Sequence, residues 1–281
     1  MSGSARIDLA SGTARLSLSP ANGGTILSWD VDGVPVLRPS PATPAILDTA
    51  CFPLLPFANR IARGRFAFEG REIVVPDDPV SPPHALHGVG WRRAWTAVEV
   101  AGDRAVLRLD HDGSGWPWPF IATEAVSLSD HGLRIGFELT NLGEQAMPVG
   151  FGVHPYFPSG NATVELDADR RTEIDADALP IGMVDDDRFR GGRPVAVSTL
   201  PFTDHFYATS RPATLRLETG RRLRIDASRL AGFQLYAPVG GDFFCVEPQS
   251  HRPNAFAKGD FDEVVSPGAT ARWEARFDLL D

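Results

Sequence analysis

The chain has 281 residues, of which 43% are hydrophobic and 22% charged, and this composition is typical of a globular protein. A formal net charge of −9 excludes a general nucleic-acid-binding protein, because such a protein needs a basic surface. No segment approaches the ~18 consecutive apolar residues that span a bilayer, and the N-terminal residues lack the apolar stretch of a signal peptide. We therefore expect a cytoplasmic protein that binds neither membranes nor nucleic acid.

Short segments in which apolar and polar residues alternate recur along the whole chain, and turn sequences separate them. In chain order these turns are Asp32-Gly33, Glu69-Gly70, Asp130-His131-Gly132 and Thr219-Gly220. Residues 271–279 form one more alternating segment near the C-terminus. An apolar–polar alternation interrupted by such a turn predicts an antiparallel hairpin. Around Thr219-Gly220 the inward-facing side is predicted to consist of Leu215, Leu217, Leu223 and Ile225.

No amphipathic helix of ten or more residues is evident, and 24 prolines with 27 glycines leave little room for one. The predicted fold is therefore all-β, a large antiparallel β-sandwich of many short strands. Because no clean linker occurs, we predict a single domain over residues 1–281. The irregular segments 76–90 and 175–194 are interpreted as functional or surface loops. Cys51 and Cys245 are predicted to be buried free thiols.

Several polar residues occur where a sandwich core does not need them. Asn59 and Arg60 follow an apolar, proline-rich approach, and Asp204 lies between aromatic residues. Glu247 ends the apolar run 243–246, although glutamate is rarely buried without a partner. His154 lies in "GFGVHPYF", where we interpret the flanking glycines and aromatic residues as bringing the histidine close to a ligand.

Each of these residues also has a purely structural explanation. A single histidine among apolar residues is more often a hydrogen-bonded core residue than a catalyst. Arg60 could pair with a surface carboxylate, and Asp204 could cap a turn. Glu247 is the hardest to explain in this way, because the rest of its strand is apolar.

A second interpretation of the histidines is a metal site, because four of them could offer imidazole ligands. An HxxH pair in a proline-rich loop is not the HExxH pair of a metalloprotease helix, and the HxH spacing of metal-binding barrels is absent. We therefore predict no catalytic metal and no other cofactor. The four histidines are His84, His87, His154 and His205.

Five segments in this order and spacing resemble the aldose 1-epimerase (galactose mutarotase) family: "NRIARGRFAFEGREI", "HALHG", "GFGVHPYF", "TDHFY" and "VEPQSHRPNAF". The resemblance runs from about residue 20 to the C-terminus. It implies the galactose mutarotase-like supersandwich, with a sugar bound in an open cleft on one sheet and no cofactor. Val89 follows "LHG" where galactose-type members carry a second glycine, so the resemblance leaves the identity of the sugar open.

The resemblance also implies roles for six residues. Glu247 corresponds to the catalytic base and His154 to the catalytic acid of ring opening. Positions expected to bind the sugar are Arg60, His87, Asp204 and Asn59, and we interpret Trp91 as a stacking surface for the sugar ring. The protein is expected to act on a small-molecule sugar as a monomer or homodimer.

Three alternative functions stay open at this point. A hexose-6-phosphate 1-epimerase needs cations at the cleft edge, which Arg63, Arg65, Arg92 and Arg93 could supply, but we favour a neutral aldose. A non-catalytic sugar-binding sandwich would have no use for an acid–base pair. A glycosidase needs two carboxylates about 5–10 Å apart, nominally Glu247 and Asp204.

Overall fold

The computed structural model describes residues 6–280, and nearly all of their regular structure is β-strand. Six short 3₁₀ segments are the helical structure of this range: Ile46–Asp48, Ala62–Gly64, Gly90–Arg92, Asp187–Gly192, Val197–Thr199 and Phe256–Lys258. Within residues 6–280 no helix is long and apolar enough to cross a membrane. The strands are β1 (Ile7–Ser11), β2 (Ala14–Ser19), β3 (Thr25–Val31), β4 (Val34–Pro35), β5 (Cys51–Leu54), β6 (Arg60–Ile61), β7 (Arg65–Phe68), β8 (Arg71–Val74), β9 (Ala85–Leu86), β10 (Thr96–Val100), β11 (Arg104–His111), β12 (Phe120–Ser129), β13 (Gly132–Asn141), β14 (Met147–Val149), β15 (Gly152–Pro158), β16 (Thr163–Glu165), β17 (Arg170–Ile174), β18 (Pro180–Asp185), β19 (Val195–Ala196), β20 (Thr203–Ala208), β21 (Ala213–Arg216), β22 (Arg222–Ala227), β23 (Gly232–Ala237), β24 (Phe243–Gln249), β25 (Glu263–Val265) and β26 (Thr270–Leu280).

Two large antiparallel sheets share one hydrophobic core, so the predicted all-β sandwich is confirmed. The first sheet has eleven strands, in the order β1-β2-β3-β5-β15-β24-β23-β20-β17-β18 with β4 paired to β3. The second has nine strands, in the order β10-β11-β12-β13-β26-β22-β21-β16-β19. Three two-stranded ribbons, β6-β9, β7-β8 and β14-β25, lie beside them. The first sheet carries the candidate site.

The hairpins predicted from alternation and turn sequences are all present. The turns at residues 32–33, 69–70, 130–131 and 217–221 join β3 to β4, β7 to β8, β12 to β13 and β21 to β22. Leu215, Leu223 and Ile225 are fully buried, whereas Arg216, Arg222 and Arg224 between them are exposed. Alternation predicts these strands well because one face packs on the core and the other faces water.

Strand β24 is buried on both faces, which explains why its sequence does not alternate. Phe244 and Val246 point into the core between the sheets. Cys245 and Glu247 point the opposite way, toward the outer face of the first sheet, where loops and aromatic rings cover them. Both cysteines are free and buried, as predicted, and Cys51 belongs to the core between the sheets.

A second buried glutamate, Glu124, lies on the core side of β12 and is only 2% exposed. Its Oε2 has no hydrogen-bond partner among the described residues. Burial alone raises the pKa of this carboxyl well above its usual range. A carboxylate without a partner is costly in an apolar interior, so burial favours the protonated form of Glu124 in the folded protein.

We expect Glu124→Gln to gain stability relative to the wild type as the pH rises. In the unfolded chain a glutamate titrates near 4.3, so above that pH the wild type must take up a proton to fold. The protonated Glu124 carboxyl contributes fully to the free energy of unfolding below the pKa that this residue has in the unfolded chain. This contribution is lost as the pH rises toward the higher pKa that Glu124 has in the folded protein. That loss amounts to at most about 1.4 kcal/mol per pH unit.

Urea unfolding of both proteins at several pH values between 4 and 8 measures this difference. Glu138→Gln serves as a matched control, because Glu138 is exposed on the neighbouring strand β13 and pairs with Arg272. A stability difference between Glu124→Gln and wild type that does not change with pH would contradict the protonated state of Glu124.

Candidate active site

An open cleft of about 630 Å³ lies on the outer face of the first sheet, and this volume suits a small-molecule ligand. Adjacent strands place their side chains here in two rows. One row runs from Phe52 through His154 and Glu247 to Gln234. The next row contains Tyr156, Cys245, Tyr236 and Asp204. The loops that follow β5 and precede the 3₁₀ turn at Gly90 add Asn59 and His87, and the start of β6 adds Arg60.

His154 and Glu247 form the centre of the cleft floor. The Nε2 atom of His154 lies 3.3 Å from Oε1 of Glu247, and both side chains are almost fully buried. Gln249 donates a hydrogen bond of 3.1 Å to the other carboxyl oxygen of Glu247. The imidazole of His154 stacks between Phe52 and Tyr156, at centroid distances of 4.5 and 4.7 Å. The hydrogen bond from Gln249 therefore fixes the carboxyl group, and the two aromatic rings fix the imidazole against it.

Burial acts on the two groups in opposite directions. It lowers the pKa of His154 to about 3, because the imidazolium would lose its hydration. It raises the pKa of Glu247 well above the usual range, and the nearby charge of Asp204 adds to this effect. Burial consequently favours a neutral imidazole beside a protonated carboxyl, a state in which the pair holds one titratable proton.

Asp204 and Arg60 face each other across the cleft, 3.6 Å apart. Gln234, the cross-strand neighbour of Glu247, donates a hydrogen bond of 2.5 Å to Asp204. Arg60 also donates from Nε to the hydroxyl of Ser81 at 3.0 Å. Both charged groups are thus fixed by neutral partners, and both line the cleft.

His87 and Asn59 form a second fixed unit on the opposite wall. The backbone N–H of Asn59 donates to Nδ1 of His87 at 3.1 Å, and the backbone N–H of His87 donates to the Asn59 carbonyl at 2.9 Å. Since Nδ1 accepts, the proton of the neutral ring resides on Nε2. Burial and the neighbouring His154, Arg60 and Arg92 lower the pKa of His87 well below its usual range. His87 is therefore a neutral hydrogen-bond donor.

Asn59 shapes the loop more than it offers a free side chain. Its φ of +59° lies in the left-handed region that asparagine tolerates, and its Oδ1 accepts a hydrogen bond from the backbone N–H of Arg60. His87 likewise has a φ of +57°. Strained backbone at both residues of one hydrogen-bonded pair is typical of a functional loop.

The two glycines before His154 have a different role from the one predicted. A Cβ atom at Gly150 would lie 2.1 Å from the His251 ring, and one at Gly152 would lie 3.0 Å from the Pro248 carbonyl. His251 is itself a structural residue, because its Nε2 accepts the backbone N–H of Ala58. The glycines therefore make room for the neighbouring segment and do not line the cleft.

The sequence prediction missed Arg38, which lies at one end of the cleft. Its guanidinium packs over the rings of Tyr156 and Phe243, at 4.4 and 4.5 Å, and donates to the Leu47 carbonyl. Gln234 and Gln249 were missed as well. All three lie in strands or turns whose local sequence gives no sign of a ligand, so no sequence signal could have found them.

Other candidates lie outside the cleft. Trp91 is fully buried behind Phe52 and covered by Arg92, so the interpretation of Trp91 as a stacking surface for the sugar was wrong. His84 accepts the backbone N–H of Arg63, and His205 lies beside Arg171. Of the four histidines considered as metal ligands, His87 and His154 are the two that line the cleft.

None of the four arginines considered for phosphate binding lines the cleft. Arg65 pairs with Glu72, Arg92 with Asp78, and Arg93 donates to the Ser114 carbonyl. For the sugar reaction that the family resemblance implies, we therefore expect Arg65→Ala and Arg93→Ala to change kcat/KM by less than about twofold, as is usual for exposed charges outside a site. A selective loss of activity on a hexose 6-phosphate in either variant would contradict this placement.

Residues 6–278 match the family described as aldose 1-epimerase. The chain belongs to this family. Among solved structures, a candidate aldose 1-epimerase of Escherichia coli K12 superposes with a TM-score of 0.91 and 27% identity, over 99% of both chains. A galactose mutarotase-like protein of Clostridium acetobutylicum superposes with a TM-score of 0.85 over 98% of this chain and 94% of its own, and at 18% identity it supports the fold alone.

Two proteins of Escherichia coli K12 with no characterized function are also similar in sequence to this family member. YphB is 35% identical over 150 residues, which are 53% of this chain and 51% of YphB. The match therefore spans about half the length of that protein. YihR is 29% identical over 223 residues, 73% of this chain and 71% of its own.

Proposed function

We propose that the protein is an aldose 1-epimerase that interconverts the α and β anomers of a neutral sugar. The observation that carries this proposal is the contact of 3.3 Å between His154 and Glu247 on the floor of the cleft. A binding protein needs hydrogen-bonding groups for the sugar hydroxyls, but it has no need of two buried titratable groups that share one proton. Ring opening of a hemiacetal needs such a pair.

The reaction moves one proton out of the hydroxyl on C1 and one proton onto the ring oxygen O5. As the C1–O5 bond breaks, one member of the pair accepts the hydroxyl proton and the other donates its own proton to O5. After rotation about C1–C2, both transfers run in reverse and the ring closes on the other face. We assign Glu247 as base and His154 as acid in the opening step. The active form has a carboxylate beside an imidazolium, and one proton transfer across the 3.3 Å contact produces it from the neutral pair.

The remaining cleft residues hold the sugar so that only one carbon reacts. Arg60 and Asp204 offer a donor and an acceptor to adjacent ring hydroxyls, and Gln234 keeps Asp204 in place. His87 offers its Nε2–H to an oxygen at the reacting centre, where it stabilises developing negative charge. Asn59 acts through His87 as a positioning residue, because it fixes the ring by the hydrogen bond to Nδ1.

The charge of the cleft favours a neutral sugar over a hexose phosphate. Four carboxyl groups line it, against the two guanidinium groups of Arg38 and Arg60. Even with Glu247 protonated, a phosphate dianion would meet three aspartates against two guanidinium groups, and electrostatic complementarity of this kind decides between partners. The four carboxyl groups are those of Asp48, Asp175, Asp204 and Glu247.

Polarimetry on freshly dissolved sugars tests the proposed function. We expect catalysed equilibration of at least one free hexose or pentose, and a kcat/KM for glucose 6-phosphate below that for the best free sugar. Incubation with a chelator should not lower the rate, because the mechanism uses side-chain protons. Sugar binding without equilibration would point to a binding protein, and cleavage of a glycoside would point to a glycosidase.

A further inference from the structure

Cys245 lies beside the proposed acid–base pair but has no part in the proposed reaction. It precedes Glu247 by two residues on β24, so both side chains point to the same face of the sheet. The Sγ atom of Cys245, a ring nitrogen of His154 and a carboxyl oxygen of Glu247 all lie within 4.8 Å of one another. Within residues 6–280 this is the one group of three or more such ligands.

The separations suit a tetrahedral metal ion. Zinc–ligand distances of about 2.0–2.3 Å in a tetrahedron place neighbouring ligand atoms roughly 3.3–3.6 Å apart. The nitrogen and oxygen of His154 and Glu247 are already 3.3 Å apart. The sulfur of Cys245 lies within 4.8 Å of both atoms, so it has to approach them by at most about 1.2 Å to reach this spacing and complete three ligand positions. His154 and Glu247 line the cleft, which can supply water or a sugar hydroxyl as the fourth ligand.

The ligand types and their charges also match a divalent cation of intermediate softness, such as zinc. A thiolate and an imidazole are ligands that select zinc-like ions over magnesium or calcium. One thiolate and one carboxylate together supply two negative charges, which neutralise a dication in a site where an unpaired charge would be costly. Binding then displaces one proton from the thiol and the proton that the His154–Glu247 pair holds.

We propose that His154, Cys245 and Glu247 form an inhibitory site for a zinc-like divalent cation. The bound ion occupies the lone pair of His154 and an oxygen of Glu247, so neither group can transfer a proton. The inhibition rests on the proposed epimerase function, whereas the binding itself does not. Magnesium, which prefers oxygen ligands and octahedral geometry, should neither bind here nor inhibit.

Cobalt(II) titration of the purified, metal-free protein tests binding without any activity assay. We expect thiolate-to-cobalt charge-transfer absorption with one equivalent bound, reversed by an excess of zinc. Cys245→Ser should lose this absorption, and Cys51→Ser should keep it, because the side chain of Cys51 lies in the core between the sheets. No charge-transfer band in the wild type, or an unchanged band in Cys245→Ser, would overturn the proposal.

Inhibition by zinc tests the consequence for catalysis. We expect added zinc to lower the mutarotation rate of the wild type at least tenfold, and Cys245→Ala to need at least tenfold more zinc for half-inhibition. Cys51→Ser should be inhibited like the wild type, and magnesium should leave the rate unchanged. Equal zinc sensitivity in Cys245→Ala and wild type would show that Cys245 is not a ligand. If the protein has no epimerase activity, the cobalt spectrum still decides whether the site exists.

Discussion

Glu247→Gln is expected to lower kcat/KM for mutarotation by at least ~10², the usual contribution of one well-placed proton transfer. The amide has nearly the shape of the carboxyl group and can keep the contacts with His154 and Gln249. It cannot accept the proton of the C1 hydroxyl, so the effect should fall mainly on kcat. The KM should change little, because the residues proposed to hold the sugar hydroxyls, Arg60 and Asp204, belong to other strands and keep their contact with each other.

Glu124→Gln is the matched control for this experiment. Both glutamates are 2% exposed, but Glu124 belongs to the second sheet and does not line the cleft. A wild-type rate in Glu124→Gln together with a loss in Glu247→Gln assigns the effect to the cleft and not to removal of a buried carboxyl. Mutarotation at the wild-type rate in a folded Glu247→Gln protein would rule out Glu247 as the base.

The sequence predicted the fold well, because the physical signal of a half-buried strand is local. Alternation around Thr219-Gly220 needs only neighbouring residues to show which side chains face the core, and the structure buries Leu215 and Leu223 as expected. The same logic breaks down for β24, which is buried on both faces. In β24 the sequence signal was a single glutamate, Glu247, in an apolar run, and it indicated a candidate site residue and not which side chains face the core.

The partners within the site could not be predicted from local sequence. His154 and Glu247 are 93 positions apart and meet only because β15 and β24 are neighbours in the first sheet. Arg38 enters the cleft from a turn after β4, whereas Arg92, which follows the family-like "HALHG" segment, turns away to pair with Asp78. The same long-range pairing explains why Gly150 and Gly152 leave no room for a Cβ atom. The atoms that such a Cβ would meet belong to His251 and Pro248, at the end of β24.

His154→Asn is the second substitution with a large expected effect. Asparagine can occupy the space between Phe52 and Tyr156 and can hydrogen-bond Glu247, but it does not titrate near neutral pH. We expect kcat/KM to fall by at least ~10², because O5 loses its proton donor. His111→Asn is the matched control, since His111 is also buried but lies on β11 of the second sheet, where its ring bonds to the carbonyl of Trp116 in the following loop.

The pH profile of kcat/KM separates a loss of proton transfer from a loss of positioning. In the metal-free wild type the pair is competent while it holds one proton, so the profile should be bell-shaped. On the acid side the rate falls as the pH approaches the His154 pKa of about 3, where the pair takes up a second proton. On the alkaline side it falls as the pH passes the raised pKa of Glu247, where the pair loses its last proton. His154→Asn leaves one titrating group and should keep one limb of the bell. A full bell in that variant, with both limbs where the wild type has them, would show that other groups carry the protons.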